Sequence, residues 1–340
     1  RIKHKVKHGL VLGKFMPPHL GHLYLVDFAR TFADTLTIVV GSLEQEPIPG
    51  QLRYEWMKEL YPREEVVHLT DPNPQHPEEH PEFWAIWKSS LEKVCGRPID
   101  LLFASEDYGA KLAEVLGARF VPTNGMRESL PISGTQIREE PLRYWELIPR
   151  VVRPYFVETV VFVGPESTGK TFLSRKLADS LEASWVPEYA RTYLIGRENN
   201  FGLQDMEVIA RGQWASIEAA KQMGKPLVVS DTDALTTLLW CQELFGEVPA
   251  SVKALVSRES PHLTLVLKPD VPWVEDELRL RPETREAFFE RCVRMLEELG
   301  REYRVIGGDW EARERDCYKA LNFSPFGGTI RVRTTPGDLR

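Results

Sequence analysis

Val160–Val161–Phe162–Val163–Gly164–Pro165–Glu166–Ser167–Thr168–Gly169–Lys170–Thr171 passes from an apolar run through a glycine-bounded turn into a helical pattern. The turn matches G-x-x-x-x-G-K-[ST] in full, with a strand before it and a helix after it. Glycine lets such a backbone curl so that successive N–H groups point inward at phosphate oxygens. Gly164, Glu166, Ser167, Thr168 and Gly169 form the cradle, Lys170 reaches the outer phosphates, and the Thr171 hydroxyl is placed to hold Mg²⁺. The helix that follows aims its positive end at the same anion. The alternative is an ordinary glycine-rich turn.

Working outward toward the C-terminus, Phe172–Leu181 reads as a helix, Ser184–Pro187 as a short strand, and Asp205–Met223 as a helix. Pro226–Ser230 and His262–Leu267 read as buried strands. This strand–helix alternation is that of a P-loop kinase. Asp231, just past an apolar strand, is the expected Mg²⁺-side partner of Thr171. Phosphorylating a hydroxyl also calls for a carboxylate base, and Glu188, at the tip of the second strand, is the choice, with Asp231 as runner-up. Arg191 lies one turn on, to orient Glu188 or meet the phosphoryl group; the plain alternative is a surface ion pair. Asp233 and Trp273 join the substrate-binding set. Arg279, Arg281 and Arg285 read as a lid over the transferring phosphate, or as a charged solvated helix.

The loop sits mid-chain, so residues 1–150 must form another domain. In 340 residues two domains are expected, residues 1–150 and 155–325, with 326–340 a loose tail. Hydrophobic content of 42% and charged content of 27% are those of a globular protein. A net charge of −7 with no basic block argues against nucleic-acid binding. No apolar run is long enough to span a membrane, no secretory signal is visible, and the four scattered cysteines suit a reducing cytoplasm. Arg1–His8 reads as a basic lead-in. Self-association is left open.

In the first half, Val6–Leu12 is a strand, Leu23–Ala29 begins a helix, and Leu36–Val40 is a second strand. Together they make a βαβ unit with its site at the strand C-termini. Between the first strand and the helix stands Gly13–Lys14–Phe15–Met16–Pro17–Pro18–His19–Leu20–Gly21–His22. His19 and His22 lie one turn apart and Gly21 leaves room for a phosphate chain. Two imidazole N–H donors at a helix start suit a transferring phosphoryl group and its leaving pyrophosphate. By itself the pattern also fits a metal site. Further on, Ser133 can cap a helix, Gly134 allows close approach, and Arg138 projects a fixed charge in Ile132–Ser133–Gly134–Thr135–Gln136–Ile137–Arg138.

H-x-G-H with I-S-x-T-x-x-R resembles the nucleotidyltransferase superfamily, which implies a five-stranded parallel sheet binding ATP between the two motifs. G-K-F-M-P-P-H-L-G-H, then Ser105–Glu106–Asp107–Tyr108–Gly109, then P-I-S-G-T-Q-I-R, then G-P-E-S-T-G-K-T, is similar in order to the NadR family. Those proteins join nicotinamide mononucleotide adenylyltransferase to ribosylnicotinamide kinase. The resemblance implies that Lys14, His19, His22 and Arg138 handle the ATP phosphates, and that Gly13 and Phe15 line the nucleotide cleft. It also implies that Ser133 and Thr135 complete a second phosphate clamp, with Ser105, Glu106 and Tyr108 at a strand end beside the site. Trp84 and Trp87 are candidates for the pyridine slot, or are core residues of an amphipathic helix. Arg53 is either a partner of the mononucleotide phosphate or a solvated helix residue. Thr70–Glu82, rich in proline, reads as a surface loop flanking the mononucleotide. The family's lid pattern D-G-x-R stands here as Asp276–Glu277–Leu278–Arg279, without the glycine.

The expected fold is therefore α/β with two parallel-sheet domains, a Rossmann-like nucleotidyltransferase and a P-loop kinase. The expected substrates are ATP, nicotinamide riboside and nicotinamide mononucleotide, with NAD as product and Mg²⁺ as cofactor. The alternatives are an NAD-sensing regulator with one degenerate half, or an adenylyltransferase for another phosphate ester. A DNA-binding regulator is not expected, since the first strand begins by Val6.

Overall fold

The computed structural model describes residues 6–104, 108–123, 131–197, 200–272 and 284–321. Contacts divide the chain into Arg1–Val152 and Arg153–Arg340. The basic residues 1–5, Ser105 and Glu106, the lid segment with Trp273 and Arg279, and the C-terminal tail lie outside the described residues.

In the first unit five strands form one parallel sheet in the order β3-β2-β1-β4-β5. They are β1 (His8–Gly13), β2 (Thr35–Gly41), β3 (Glu65–Leu69), β4 (Leu101–Ala104) and β5 (Arg119–Pro122). Helices α1 (Leu20–Phe32), α2 (Gly50–Leu60), α3 (Phe83–Cys95) and α4 (Tyr108–Leu116) connect them, and α5 (Gly134–Glu139) follows. Side chains alternate across a strand, and both faces of the central strands are covered here, so β1, β2 and β4 are mostly apolar on both faces. Val11, Ile38 and Val40 pack with Val26, Ala29 and Met57 of α1 and α2. Leu10, Val39 and Leu102 pack on the other face with Leu91, Cys95 and Leu112 of α3 and α4.

The second unit repeats the plan as β10-β9-β6-β8-β7, again parallel throughout. Its strands are β6 (Glu158–Val163), β7 (Ser184–Val186), β8 (Leu227–Asp231), β9 (Leu263–Leu267) and β10 (Tyr303–Ile306). Its helices are α6 (Lys170–Ser180), α7 (Tyr189–Leu194), α8 (Leu203–Lys221), α9 (Ala234–Phe245), α10 (Ala250–Arg258), α11 (Arg285–Glu298) and α12 (Trp310–Leu321). Val160 and Phe162 face α6 and α12, while Val161 and Val163 face α8 to α11. In each sheet the central strand has neighbours reached in opposite directions, which opens a crevice beyond its C-terminal end.

Asp231, expected one residue beyond its strand, is instead the last residue of β8 and pairs with Phe162. No helix among the described residues is long and apolar enough to cross a membrane.

Candidate functional sites

At the C-terminal ends of β1 and β2 a cavity of about 310 Å³ opens, lined by Gly13, Lys14, Gly41 and Glu46 on one side and by Trp84, Trp87 and Tyr108 on the other. Trp87 Nε1 donates to Pro74 O (2.8 Å), so its ring is fixed by the loop between β3 and α3. That loop is the surface segment its prolines suggest, with Asn73 its one buried residue. Asn73 is buried, accepts from Ser90 Oγ (3.1 Å), and has an Nδ2 donor with no partner at the cavity wall.

The His19–His22 turn starts α1. Gly21 N donates to His19 Nδ1 (3.1 Å) and His19 N donates to His22 Nδ1 (3.3 Å). A nitrogen that accepts from a backbone N–H carries no proton, so in each neutral ring the hydrogen sits on Nε2. The rings lie 3.8 Å apart between centroids. The start of α5 docks on the same turn. Ser133 caps it, accepting from Gln136 N (3.2 Å). Arg138 donates to Met16 O and to Thr135 Oγ1. A Cβ on Gly134 would lie 2.4 Å from Met16 O, so only glycine lets the two segments approach this closely. Two sequence motifs more than a hundred residues apart thus form one basic, N–H-rich surface.

Two sequence expectations are corrected in this half. Phe15 does not line the cleft. It adopts φ 49°, is 1% exposed, and turns its ring edge-on against His22, 5.0 Å away, into the core. Arg53 is neither solvated nor open to a phosphate, being 0% exposed. Its guanidinium donates to Ile48 O (3.0 Å), Lys14 O (2.6 Å), Gly41 O (3.3 Å) and the Glu46 carboxylate. It is a clamp joining the ends of β1 and β2. Glu46 also meets Lys14 Nζ at 2.9 Å. Burial alone would push the Glu46 carboxyl up, but Lys14, the Leu43 N–H and Arg53 outweigh it and hold the carboxyl below its ordinary value. Removing one partner of a buried pair strands the other charge. Arg53→Met is therefore expected to lower the unfolding free energy of the first unit by ~3–5 kcal/mol, read by urea titration.

In the second unit a cleft of about 220 Å³ lies over the Gly164–Thr171 turn and is closed by Glu188, Arg191, Thr236 and Trp240. Glu166, Ser167 and Thr168 line it with Gly164 and Gly169. Gly169 takes φ 89°, and a Cβ there would lie 2.4 Å from the Trp310 ring. Lys170 Nζ donates to Gly164 O (3.0 Å) and Pro165 O (2.7 Å). Thr171 Oγ1 donates to Asp231 Oδ2 (2.6 Å). Asp231 is 0% exposed and its Oδ1 has no partner. Burial, then the charge of Glu188, pushes its carboxyl up to about 6, against the pull of Lys170, Thr171 and Arg191. A hydroxyl and a carboxylate with an unmatched oxygen are the hard donors a divalent cation takes, so these residues fit Mg²⁺. Arg191 Nε meets Glu188 Oε2 at 3.2 Å at the cleft wall. Of the three lid arginines only Arg285 is described; it donates to Val271 O (2.9 Å) and Ser167 O (3.4 Å).

Asp233 is the third correction. It is 1% exposed, caps α9 by accepting from Leu235 N (3.1 Å), and pairs with Arg301 at 2.8 Å. Glu259 lies in the same buried cluster, its carboxyl pushed up to about 9 by burial and by Asp233. Thr232 between them takes a left-handed φ of 81°, and Asp233 is turned to Arg301 and the helix cap while Asp231 meets Thr171.

Residues 159–313 match the AAA domain family. The chain is 33% identical over 338 residues to the trifunctional NAD biosynthesis/regulator protein NadR of Escherichia coli (strain K12), covering 92% of this chain and 82% of that protein. The chain belongs to the NadR family. A nicotinamide-nucleotide adenylyltransferase of Thermococcus onnurineus (strain NA1) is 25% identical over 166 residues, 45% of this chain and 83% of that protein. A crystal structure of NadR in complex with NAD and AMP-PNP superposes with a TM-score of 0.79 at 24% identity, covering 95% of this chain and 97% of that one, a likeness of fold.

Within this NadR framework four residues were not singled out from the sequence. Glu46 and Asn73 stand in the cavity of the first unit. Gln213, buried on α8, accepts from Tyr189 N (2.7 Å) and donates to Pro187 O (3.3 Å) and Ser230 Oγ (3.1 Å). It thereby ties the turn that carries Glu188 to the strand end that carries Asp231. Arg313 is fully buried and donates to Thr168 O, Lys268 O and Gly308 O and to Asp270, bracing the phosphate turn from behind. The one sequence signal for these residues was a charged or amide side chain amid apolar neighbours, which many solvated helix faces share.

Proposed function

We propose that the two units carry consecutive steps of NAD synthesis, the second unit as kinase and the first as adenylyltransferase. The observation that carries the reading is the kinase cleft, where Lys170, the Thr171–Asp231 pair and the Glu188–Arg191 pair surround one space. The kinase phosphorylates nicotinamide riboside with ATP. Glu188 accepts the proton of the attacking hydroxyl, Lys170 and the turn N–H groups take the phosphate charge, and Arg191 orients Glu188. Thr171 and Asp231 would hold Mg²⁺, which when bound neutralises charge on the phosphates.

In the first unit the mononucleotide phosphate, already an anion, attacks the α-phosphorus of ATP. Pyrophosphate leaves and NAD forms. No side chain needs to remove a proton. Nε2–H of His19 and His22, with Lys14 and Arg138, stabilises the phosphoryl group and the leaving pyrophosphate, and Ser133 and Thr135 order the second clamp. Trp84, Trp87 and Tyr108 form the slot for the pyridine ring, with Asn73 Nδ2 available to its carboxamide oxygen. The product of one unit is the substrate of the other. Incubating the protein with nicotinamide riboside, ATP and Mg²⁺ tests this: mononucleotide, then dinucleotide and pyrophosphate, should appear, and formation of neither would sink the reading.

Asp231 gives a second prediction. A carboxyl whose folded value stands above its unfolded one stabilises the fold when protonated, and that contribution fades as pH rises through about 6. By pH 8 the buried anion costs on the order of 3 kcal/mol without a cation. Asp231→Asn should therefore raise the melting temperature at pH 8, raise it less at pH 5, and remove kinase activity.

A further inference from the structure

Three buried oxygens in the stretch Asp231–Thr236 have no hydrogen-bond partner: Asp231 Oδ1, Thr232 Oγ1 and Thr236 Oγ1. Asp231 is accounted for by the cation site. Thr236 is not. It is 5% exposed, sits on the first turn of α9, and belongs to the wall of the kinase cleft together with Trp240. A buried hydroxyl without a partner is costly, and Thr236 belongs to a cleft wall, so its Oγ1 is a group that a ligand in the cleft can complete.

The position in the sheet says which ligand. Gly164 lies against Leu267 of β9, and Gly169 against Trp310, which follows β10. Glu188 with α7, which bears Arg191, and α9, which bears Thr236 and Trp240, follow β7 and β8 on the opposite side of β6. The wall containing Thr236 is thus on the acceptor side of the phosphate turn. Along α9 the order is Asp231 before the helix, then Thr236, then Trp240 one turn later, about 6 Å further at 1.5 Å per residue. That order matches an acceptor nucleoside laid with its reacting hydroxyl at Glu188 and Asp231, its sugar at Thr236, and its ring beside the indole. Trp240 is itself braced by Phe288, 4.7 Å away between ring centroids.

We propose that Thr236 is a specificity-determining residue of the kinase, its Oγ1 hydrogen-bonding a sugar hydroxyl of the acceptor nucleoside while Trp240 flanks the base. The assignment rests on the kinase reading above. Its test compares nicotinamide riboside with its 2′-deoxy and 3′-deoxy analogues, in the full chain, for wild type, Thr236→Val and Thr236→Ser. Wild type should phosphorylate one of the two analogues with kcat/KM reduced roughly 10–100-fold. Thr236→Val, which keeps shape and loses the hydroxyl, should lose a similar factor with the parent nucleoside and no longer discriminate against that analogue. Thr236→Ser should restore discrimination, and KM for ATP and adenylyl transfer should stay at wild-type values. A wild-type enzyme indifferent to both deletions overturns the proposal without any variant, as does a Thr236→Val enzyme that discriminates as wild type does. Failure of wild type to phosphorylate any nucleoside would instead remove the kinase reading itself, and so is separable.

Discussion

Lys170→Met is expected to reduce phosphorylation of nicotinamide riboside ~10³-fold or more in kcat, while pyrophosphate release from ATP and nicotinamide mononucleotide is unchanged. Methionine keeps most of the apolar stem and removes only the ammonium, so packing is spared. That ammonium reaches the Gly164 and Pro165 carbonyls inside the cleft that Glu188 and Arg191 close. A fixed cation in a confined, low-dielectric site is worth far more against phosphate charge than in water. The adenylyl transfer proposed for the first unit uses another sheet and another anion surface. Loss of both activities would contradict two independent sites. Loss of neither would show that the glycine-bounded turn is no phosphate cradle.

His22→Ala should do the converse, cutting adenylyl transfer ~10³-fold and leaving the kinase intact. His22 has two jobs in the structure. Its Nδ1 accepts from His19 N, which closes the start of α1, and its Nε2 carries the hydrogen-bonding proton. Alanine removes both, so the variant should also lose some helix-cap stability, ~1 kcal/mol. The two effects separate by assaying initial rates well below the melting temperature. A variant with normal adenylyl transfer would place the phosphoryl chemistry elsewhere in this unit.

How far the sequence could be read depended on the kind of residue. The two phosphate turns were legible because they are local: glycine, lysine and histidine at fixed spacing within a dozen residues. The strands around them were legible because both faces of a parallel sheet are covered, leaving short unbroken apolar runs such as Val160–Val163 and Ile38–Val40. Phe15, Arg53 and Asp233 were misread for a common reason. Phe15 and Asp233 adjoin functional residues in sequence and Arg53 stands on a polar-looking helix, yet backbone direction at a turn, a helix face or a cap sends each side chain into the core. Gln213 and Arg313 were not singled out because their partners lie on other elements, up to 145 residues away.

By itself, then, the sequence determined that there are two nucleotide-binding α/β halves, which motif leads each, and where the central apolar strands run, though not β3, β5 and β10 at or near the sheet edges, since periodicity and glycine spacing are properties of neighbouring residues. Only the tertiary structure decided which polar side chains face a cleft and which brace it. Burial of a guanidinium or a carboxylate is tolerated only where partners from distant strands and helices converge on it, and that convergence exists in the fold, not along the chain.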